Sequence, residues 1–313
     1  MLHFPVLLEE SLRYLISNKD GNYIDCTYGR GGHSRKILGE ITAGGTLTVF
    51  DKDPEAIADA KRINSSQFTA INSSFNKLEN YFKDNSVDGI LYDLGTCSTH
   101  FDDGNRGFSF MNNGPLDMRF NNTKGKPLYD WINNASHDEI LKVLYEYGDE
   151  KHGKLITRKI LEYRKKQKIL TTFDLADLIK DCYPGKNRKI HPATKSFQAF
   201  RIFINDELNE INQSLNQAMK ILKKDGRIVV ISFHSLEDNL VKNFFKPNKL
   251  EFPKDIPINT IEDEKFKCIA KKIRPSTDEI NINSRSRSAI MRVFKKLWVQ
   301  IQKLSLISYS FFL

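Results

Sequence analysis

Tyr28-Gly-Arg-Gly-Gly-His33 places three glycines in four positions, directly after the apolar run Tyr23-Ile-Asp-Cys-Thr27 and directly before a helical pattern. Glycines at such a turn let the backbone approach a ligand and present amide N–H groups at a helix N-terminus, which suits an anionic group. Ser34 stands where a G-x-G-x-x-G pattern needs its last glycine, and the turn carries no Walker lysine, so phosphoryl transfer is disfavoured. About 20 residues further on, Asp51 closes a second apolar run, where a carboxylate can accept hydrogen bonds from both hydroxyls of a ribose. Asp53, followed by Pro54, reads instead as a helix cap. A further run ends in Asp93-Leu-Gly-Thr-Cys-Ser98, a carboxylate at a strand tip beside small residues. It can lie near a cofactor's amine or a substrate amino group. Gly31, Gly32 and Asp51 together describe an adenosine site, which fits both NAD and S-adenosylmethionine; beside a nicotinamide, Asp93 has no obvious partner.

These residues need a scaffold that brings loop ends to one edge. Tyr23–Thr27, Leu47–Asp51, Phe68–Asn72 and Val87–Asp93 read as strands alternating with helices, the pattern of a parallel α/β sheet. Ligands bind such sheets beyond the carboxyl ends of the strands, near the switch in strand order. The rhythm breaks from about Asp102 to Lys195, where a loop rich in Gly and Asn leads into basic helical patterns such as Ile140–Tyr147 and Ile156–Tyr163. Phe197, Phe200, Ile204, Leu208, Ile211, Leu215 and Leu222 then share one face at a 3.6-residue period, predicting one long helix ended by Lys223-Lys-Asp-Gly226. Arg227–Phe233 is a fifth strand, and Phe266–Ile273 with Ala289–Phe294 suggest a closing antiparallel pair. The expected fold is one doubly wound α/β domain interrupted by a helical insertion.

The 313 residues carry 48 Lys and Arg against 39 Asp and Glu, a net charge of +9, and 40% hydrophobic residues exclude a disordered chain. The charge is uneven. Lys151–Arg201 nets +10 and Lys265–Lys296 nets +8, leaving −9 for the remainder. Two basic patches on an acidic body suit a polyanionic partner. Four cysteines lie far apart with no Cys-x-x-Cys pair, so neither a metal centre nor a disulfide scaffold is expected and a cytoplasmic setting fits. The start of the chain lacks a signal-peptide pattern, and the apolar tail at 297–313 is too short and too polar to span a membrane.

His3–Glu10, Gly29–Ser34, Asp51–Pro54, Asp102–Met111, Gly114–Arg119, His191–Thr194 and Ile231–Asp238 together resemble the RsmH/MraW-type bacterial methyltransferases, in the right order over most of the chain. The resemblance implies a Rossmann-like class I S-adenosylmethionine-dependent methyltransferase core at 1–102 and 196–296 and an inserted helical, substrate-recognising domain at 103–195; residues 297–313 follow as an apolar tail. It implies transfer to the N4 amine of a cytidine in 16S ribosomal RNA near the decoding centre, with the small ribosomal subunit as partner, no membrane contact, and a homodimer among the candidate assemblies. It places the cofactor on Gly31, Gly32, His33, Asp51, Phe75 and Asp93, with His100 at a position where the family has Gln. Cys26 replaces a family Gly, and the tail has no counterpart. A non-catalytic RNA-binding or ribosome-assembly factor on the same core is the rival reading.

The cytosine amine needs an acceptor for one N–H, because its lone pair is delocalised into the ring. Asp93, Asp117 and His234 are the leading candidates, with Asp102 and Asp103 nearby. Arg106 and Arg119 flank Phe108, Phe110 and Phe120, a combination that holds phosphates and splayed bases. Lys165, Lys166, Lys186 and Arg188 read as sequence-independent phosphate contacts. His191, before a proline, reads as structural.

Overall fold

The computed structural model describes residues 5–184, 191–247 and 265–297. Residues 1–4, Lys186, Arg188 and the tail beyond Leu297 lie outside the described residues. The chain opens with α1 (Leu8–Leu15), β1 (Asn22–Asp25), α2 (Gly32–Glu40), β2 (Thr46–Asp51), α3 (Pro54–Ala60), β3 (Phe68–Asn72) and β4 (Val87–Asp93). Pro54 stands in the first turn of α3 and the Asp53 side chain accepts the Glu55 N–H, so this helix starts where its residues predict. The middle strands are covered on both faces, which is why they read as near-continuous apolar runs.

After β4 come α4 (Ser98–Asp102), α5 (Leu128–Asn134), α6 (His137–Gly148), α7 (Gly153–Arg164) and α8 (Thr172–Lys180). The chain returns through α9 (Thr194–Asn205) and α10 (Glu207–Ile221), then β5 (Leu222–Ser232), α11 (Ser235–Phe244), β6 (Phe266–Ile273), α12 (Thr277–Ile282) and β7 (Ile290–Lys296). The seven strands run in the order β3-β2-β1-β4-β5-β7-β6, parallel except for β7, which pairs antiparallel with both β5 and β6. This is a Rossmann-like α/β sheet, as expected, and its order reverses between β1 and β4, so the loops after those two strands open at the switch point.

Two expectations need correcting. The long helix is two helices, broken at Asp206, whose backbone is left-handed (φ 53°); Asp tolerates that conformation better than most residues. Lys223–Gly226 does not end a helix but lies within β5, which starts at Leu222 opposite Val87 and carries an irregularity there. Asp225 is left-handed (φ 63°), and Lys223 pairs with Asp88 at 2.7 Å.

The sheet buries apolar side chains on both faces, while a separate core joins Leu116, Ile140, Ile156 and Leu175. Phe197 and Phe200 of α9 belong to that second core, so the packing of the insertion continues past residue 195. No helix among the described residues is long and apolar enough to cross a membrane.

Candidate functional site

A cavity of about 700 Å³ opens at the carboxyl edge of the sheet, among the loops after β1, β2, β4 and β5. The turn after β1 is held from below. Asp25 Oδ1 accepts the Thr27 N–H at 3.0 Å, and Oδ2 accepts the Ser34 hydroxyl at 2.5 Å. Asp51 joins two loops: its Oδ2 accepts the Gly29 N–H and its Oδ1 the Asp53 N–H, both at 2.8 Å. Each Asp51 oxygen keeps a second lone pair. Burial raises both carboxyls above their ordinary range, Asp25 to about 6, against the hydrogen bonds they accept.

Asp93, at the tip of β4, is pushed well up by burial, reinforced by the charges of Asp25, Cys97 and Glu237. Its Oδ1 is buried with no partner among the described residues. Its Oδ2 lies 3.5 Å from His33 Nδ1, while His33 Nε2 is 3.0 Å from the Val6 carbonyl. A ring donating from Nε2 to Val6 presents Nδ1 as an acceptor towards Asp93, which matches a carboxyl that holds its proton. Phe75 lines the same cavity, edge-on to Tyr92 with ring centres 5.8 Å apart.

These residues fit S-adenosylmethionine. The cavity has the size of a small-molecule site, Asp51 has acceptor capacity for a ribose, and Phe75 adds aromatic surface for a base. A family model described as the MraW methylase family matches residues 1–297. The chain belongs to that family. With the family come methyl transfer from S-adenosylmethionine and ribosomal RNA as the class of substrate. Among solved structures, the chain is similar to a candidate rRNA-methylase from Clostridium thermocellum (13% identity, TM-score 0.44, covering 95% of this chain and 100% of that one). It is also similar to an rRNA methylase from Streptococcus thermophilus (9% identity, TM-score 0.42, covering 95% and 99%). At these values the weight rests on the family match.

Of the expected cofactor residues of this MraW-family chain, Gly32, His33, Asp51, Phe75, Asp93 and His100 line the cavity. Gly31 does not. It is left-handed (φ 75°) as the cap of α2, and a Cβ there would stand 2.5 Å from the Tyr28 hydroxyl, so its glycine is required by packing. His100 is buried and bonds Asp53 Oδ2 through Nε2 at 2.8 Å, while its buried Nδ1 has no hydrogen-bond partner among the described residues.

Several expectations about RNA and catalysis change. Arg106 is buried, pairs with Asp53 at 3.2 Å and holds the Arg119 and Phe120 carbonyls, so it is not presented to a phosphate. Phe108 is also buried, in a three-ring cluster with His100 and Phe120 whose ring centres all lie within 5.4 Å of one another. Arg119 grips Asp117 with two hydrogen bonds, 2.8 and 2.6 Å, and neither residue lines the cavity. His234 lies beside the cavity rather than in its lining. Its Nδ1 caps α11 by accepting the Glu237 N–H at 3.4 Å, and Glu237 Oε2 accepts the His234 N–H at 3.3 Å in return and the Phe233 N–H at 2.7 Å. His191 Nδ1 accepts the Ala193 N–H, the local role expected of it. Lys165 and Lys166 are exposed on the insertion.

The sequence reading missed Asp25 and an ionic cluster under the cavity. Arg201 binds Glu207 through two bonds of 2.8 and 2.9 Å, with Glu237 at 4.0 Å and His234 Nε2 at 3.3 Å. Glu207, His234 and Glu237 bring ligand atoms within 4.8 Å of one another, but the Arg201 guanidinium already supplies the cation. His234-x-x-Glu237 is a capping-box spacing, the signal that would have marked it.

Proposed function

We propose that the chain transfers a methyl group from S-adenosylmethionine to the N4 amine of a cytidine in small-subunit ribosomal RNA. The observation that supports this most directly is the buried, unpartnered Oδ1 of Asp93 in the cavity shared with Asp51 and the glycine turn. Bound S-adenosylmethionine supplies an electrophilic methyl on a sulfonium centre. Gly32 and Asp51 hold the adenosine end, and Phe75 adds aromatic surface for the adenine. Phe120 and Phe233 line the cavity too, and give a splayed base aromatic surface on which to stack.

Asp93 then has the decisive task. An ionised carboxylate accepting one N–H of the cytosine amine localises the nitrogen lone pair and takes up the charge that develops there. Fixing the amine also converts an encounter into an oriented, near-unimolecular displacement. Glu207 and Glu237 line the cavity and are paired there with Arg201.

The test is methyl incorporation into small subunits from a strain lacking the modification, followed by nucleoside mapping. N4-methylcytidine dependent on Asp93 is expected. A methyl group on another atom overturns the assignment, and no incorporation at all turns the reading to a non-catalytic RNA-binding factor.

A further inference from the structure

Arg285 Nη2 and Asp102 Oδ1 meet at 2.8 Å on the rim of the cavity that holds Asp93. Asp102 ends α4, whereas Arg285 lies in the short turn Ser284–Ser288 that leads into β7. Both side chains are about half exposed, at 51% and 55%, and the guanidinium lies 5.5 Å from the centre of the Phe101 ring. A second guanidinium stands nearby: Arg30 Nε donates to the Thr99 hydroxyl of α4 at 3.1 Å, and its other end lies 3.6 Å from Glu55. Two arginines therefore flank α4 on the rim, each facing a solvent-exposed carboxylate.

An exposed ion pair adds little net stability, because both groups are well solvated when parted. The fold gains little from Arg285–Asp102, yet a guanidinium is shaped to bind phosphate through two parallel bonds. The position of the pair on the cavity lining suits a phosphate. A base that reaches Asp93 inside the cavity leaves its sugar and phosphate at the mouth, where this pair sits.

Resting on the reading that the substrate is RNA, we infer that Arg285 binds a phosphodiester beside the target nucleotide, and that Asp102 holds its place until RNA docks. The exchange conserves one ion pair. Asp102 returns to water at small cost because it is already half exposed. The competing account makes the pair a latch that pins the segment before β7 to α4. The two accounts differ in sign: a place-holder competes with RNA, whereas a latch supports the site.

The experiment measures binding of a single-stranded, cytidine-containing oligoribonucleotide across a salt series, with S-adenosylmethionine binding followed in parallel. Arg285→Ala should weaken RNA binding about tenfold, the size of one charged hydrogen-bonded contact, and lower the slope of log K against log salt by about 0.7. Asp102→Asn should tighten RNA binding several-fold with the slope retained. Arg285→Lys should keep the slope while giving up part of the affinity. Parallel weakening by Arg285→Ala and Asp102→Asn, an unchanged slope in Arg285→Ala, or an equal loss of cofactor binding overturns the assignment. A wild-type protein that methylates small-subunit RNA but fails these measurements rejects this inference alone. One that binds no RNA rejects the reading beneath it as well.

Discussion

His100 Nε2 lies 2.8 Å from Asp53 Oδ2, and Arg106 Nη1 approaches the same oxygen at 3.2 Å, with all three residues buried. Arg106 then turns Nη2 to the carbonyls of Arg119 at 3.1 Å and Phe120 at 2.7 Å. One carboxylate from the loop that carries Asp51 is thereby tied, through one guanidinium, to the first segment of the insertion. Burial alone would raise Asp53, but the His100 hydrogen bond and the Arg106 charge outweigh it and hold the carboxyl at about 2.

Arg106→Ala should accordingly cost stability before it costs RNA affinity. Breaking a buried pair typically costs about 3–5 kcal/mol, because a desolvated charge is left behind; here two carbonyls are also deprived of their donor. Urea denaturation measures this directly, whereas a surface phosphate-binding residue would move stability by no more than about 0.5 kcal/mol. The sign with pH follows from a folded pKa below the unfolded one. The contribution is present above about pH 4 and fades as pH falls towards 2, so the deficit of the variant should shrink over that window.

The first four strands were legible because they are short apolar runs closed by Asp or Asn, signals contained within a few residues of each other. The break at Asp206 was not, because the apolar period carries across it: Phe197 and Phe200 before the break and Ile211 and Leu215 after it are all buried. Lys223–Gly226 resembles a helix end locally, and only pairing of Leu222 with Val87, 135 positions away, makes it strand. Distant pairing overrode local preference there.

The same distinction divides the site. Asp51, Asp93 and the glycine turn were readable because each sits at a strand end, where topology alone sends it to the ligand edge. Arg106, Phe108 and Arg119 were misread because arginines beside aromatics look alike whether they face a phosphate or a buried carboxylate. Asp53 and Asp117 decided the matter, and which partner each arginine would find is a fact of tertiary packing. Two of the ten basic residues between Lys265 and Lys296 are also paired within the fold, Arg292 with Asp238 and Lys295 with Asp225.

Asp93→Asn should lower methyl transfer by on the order of 10²–10³, the usual effect of removing one group aimed at developing charge. Cofactor affinity measured by calorimetry should fall far less. The Asp93 carboxyl is raised by burial and must ionise to accept the amine N–H, so wild-type turnover should rise with pH through an ionisation above the ordinary carboxylate range. Asp93→Asn should lose that limb. A variant with intact turnover and weak cofactor binding would make Asp93 a cofactor anchor instead.

Lys165, Lys166 and Lys168 are exposed, so reversing all three to Glu should leave stability within a few tenths of a kcal/mol per site. RNA binding should weaken, and its salt slope should fall by about 0.7 for each phosphate that the variant no longer neutralises. S-adenosylmethionine affinity should hold, since these residues lie outside the cavity lining. An equal fall in both affinities shows the patch to be part of the fold.

Asp25 gives the sharpest test of stability against pH. Its folded pKa of about 6, raised first by burial, exceeds the unfolded value of 3.8, so the folded state holds a proton that the unfolded chain releases. Stability should fall as pH rises from about 4 to about 6, by roughly 3 kcal/mol for a shift of this size, and then level off. Asn at position 25 keeps an acceptor for the Thr27 N–H and a donor for the Ser34 hydroxyl, which can rotate to receive it. Asp25→Asn should therefore match wild type near pH 4 and exceed it near pH 7. Urea melts at pH 4, 5, 6 and 7 decide the matter: curves that converge at neutral pH and part in acid assign the titration to another group.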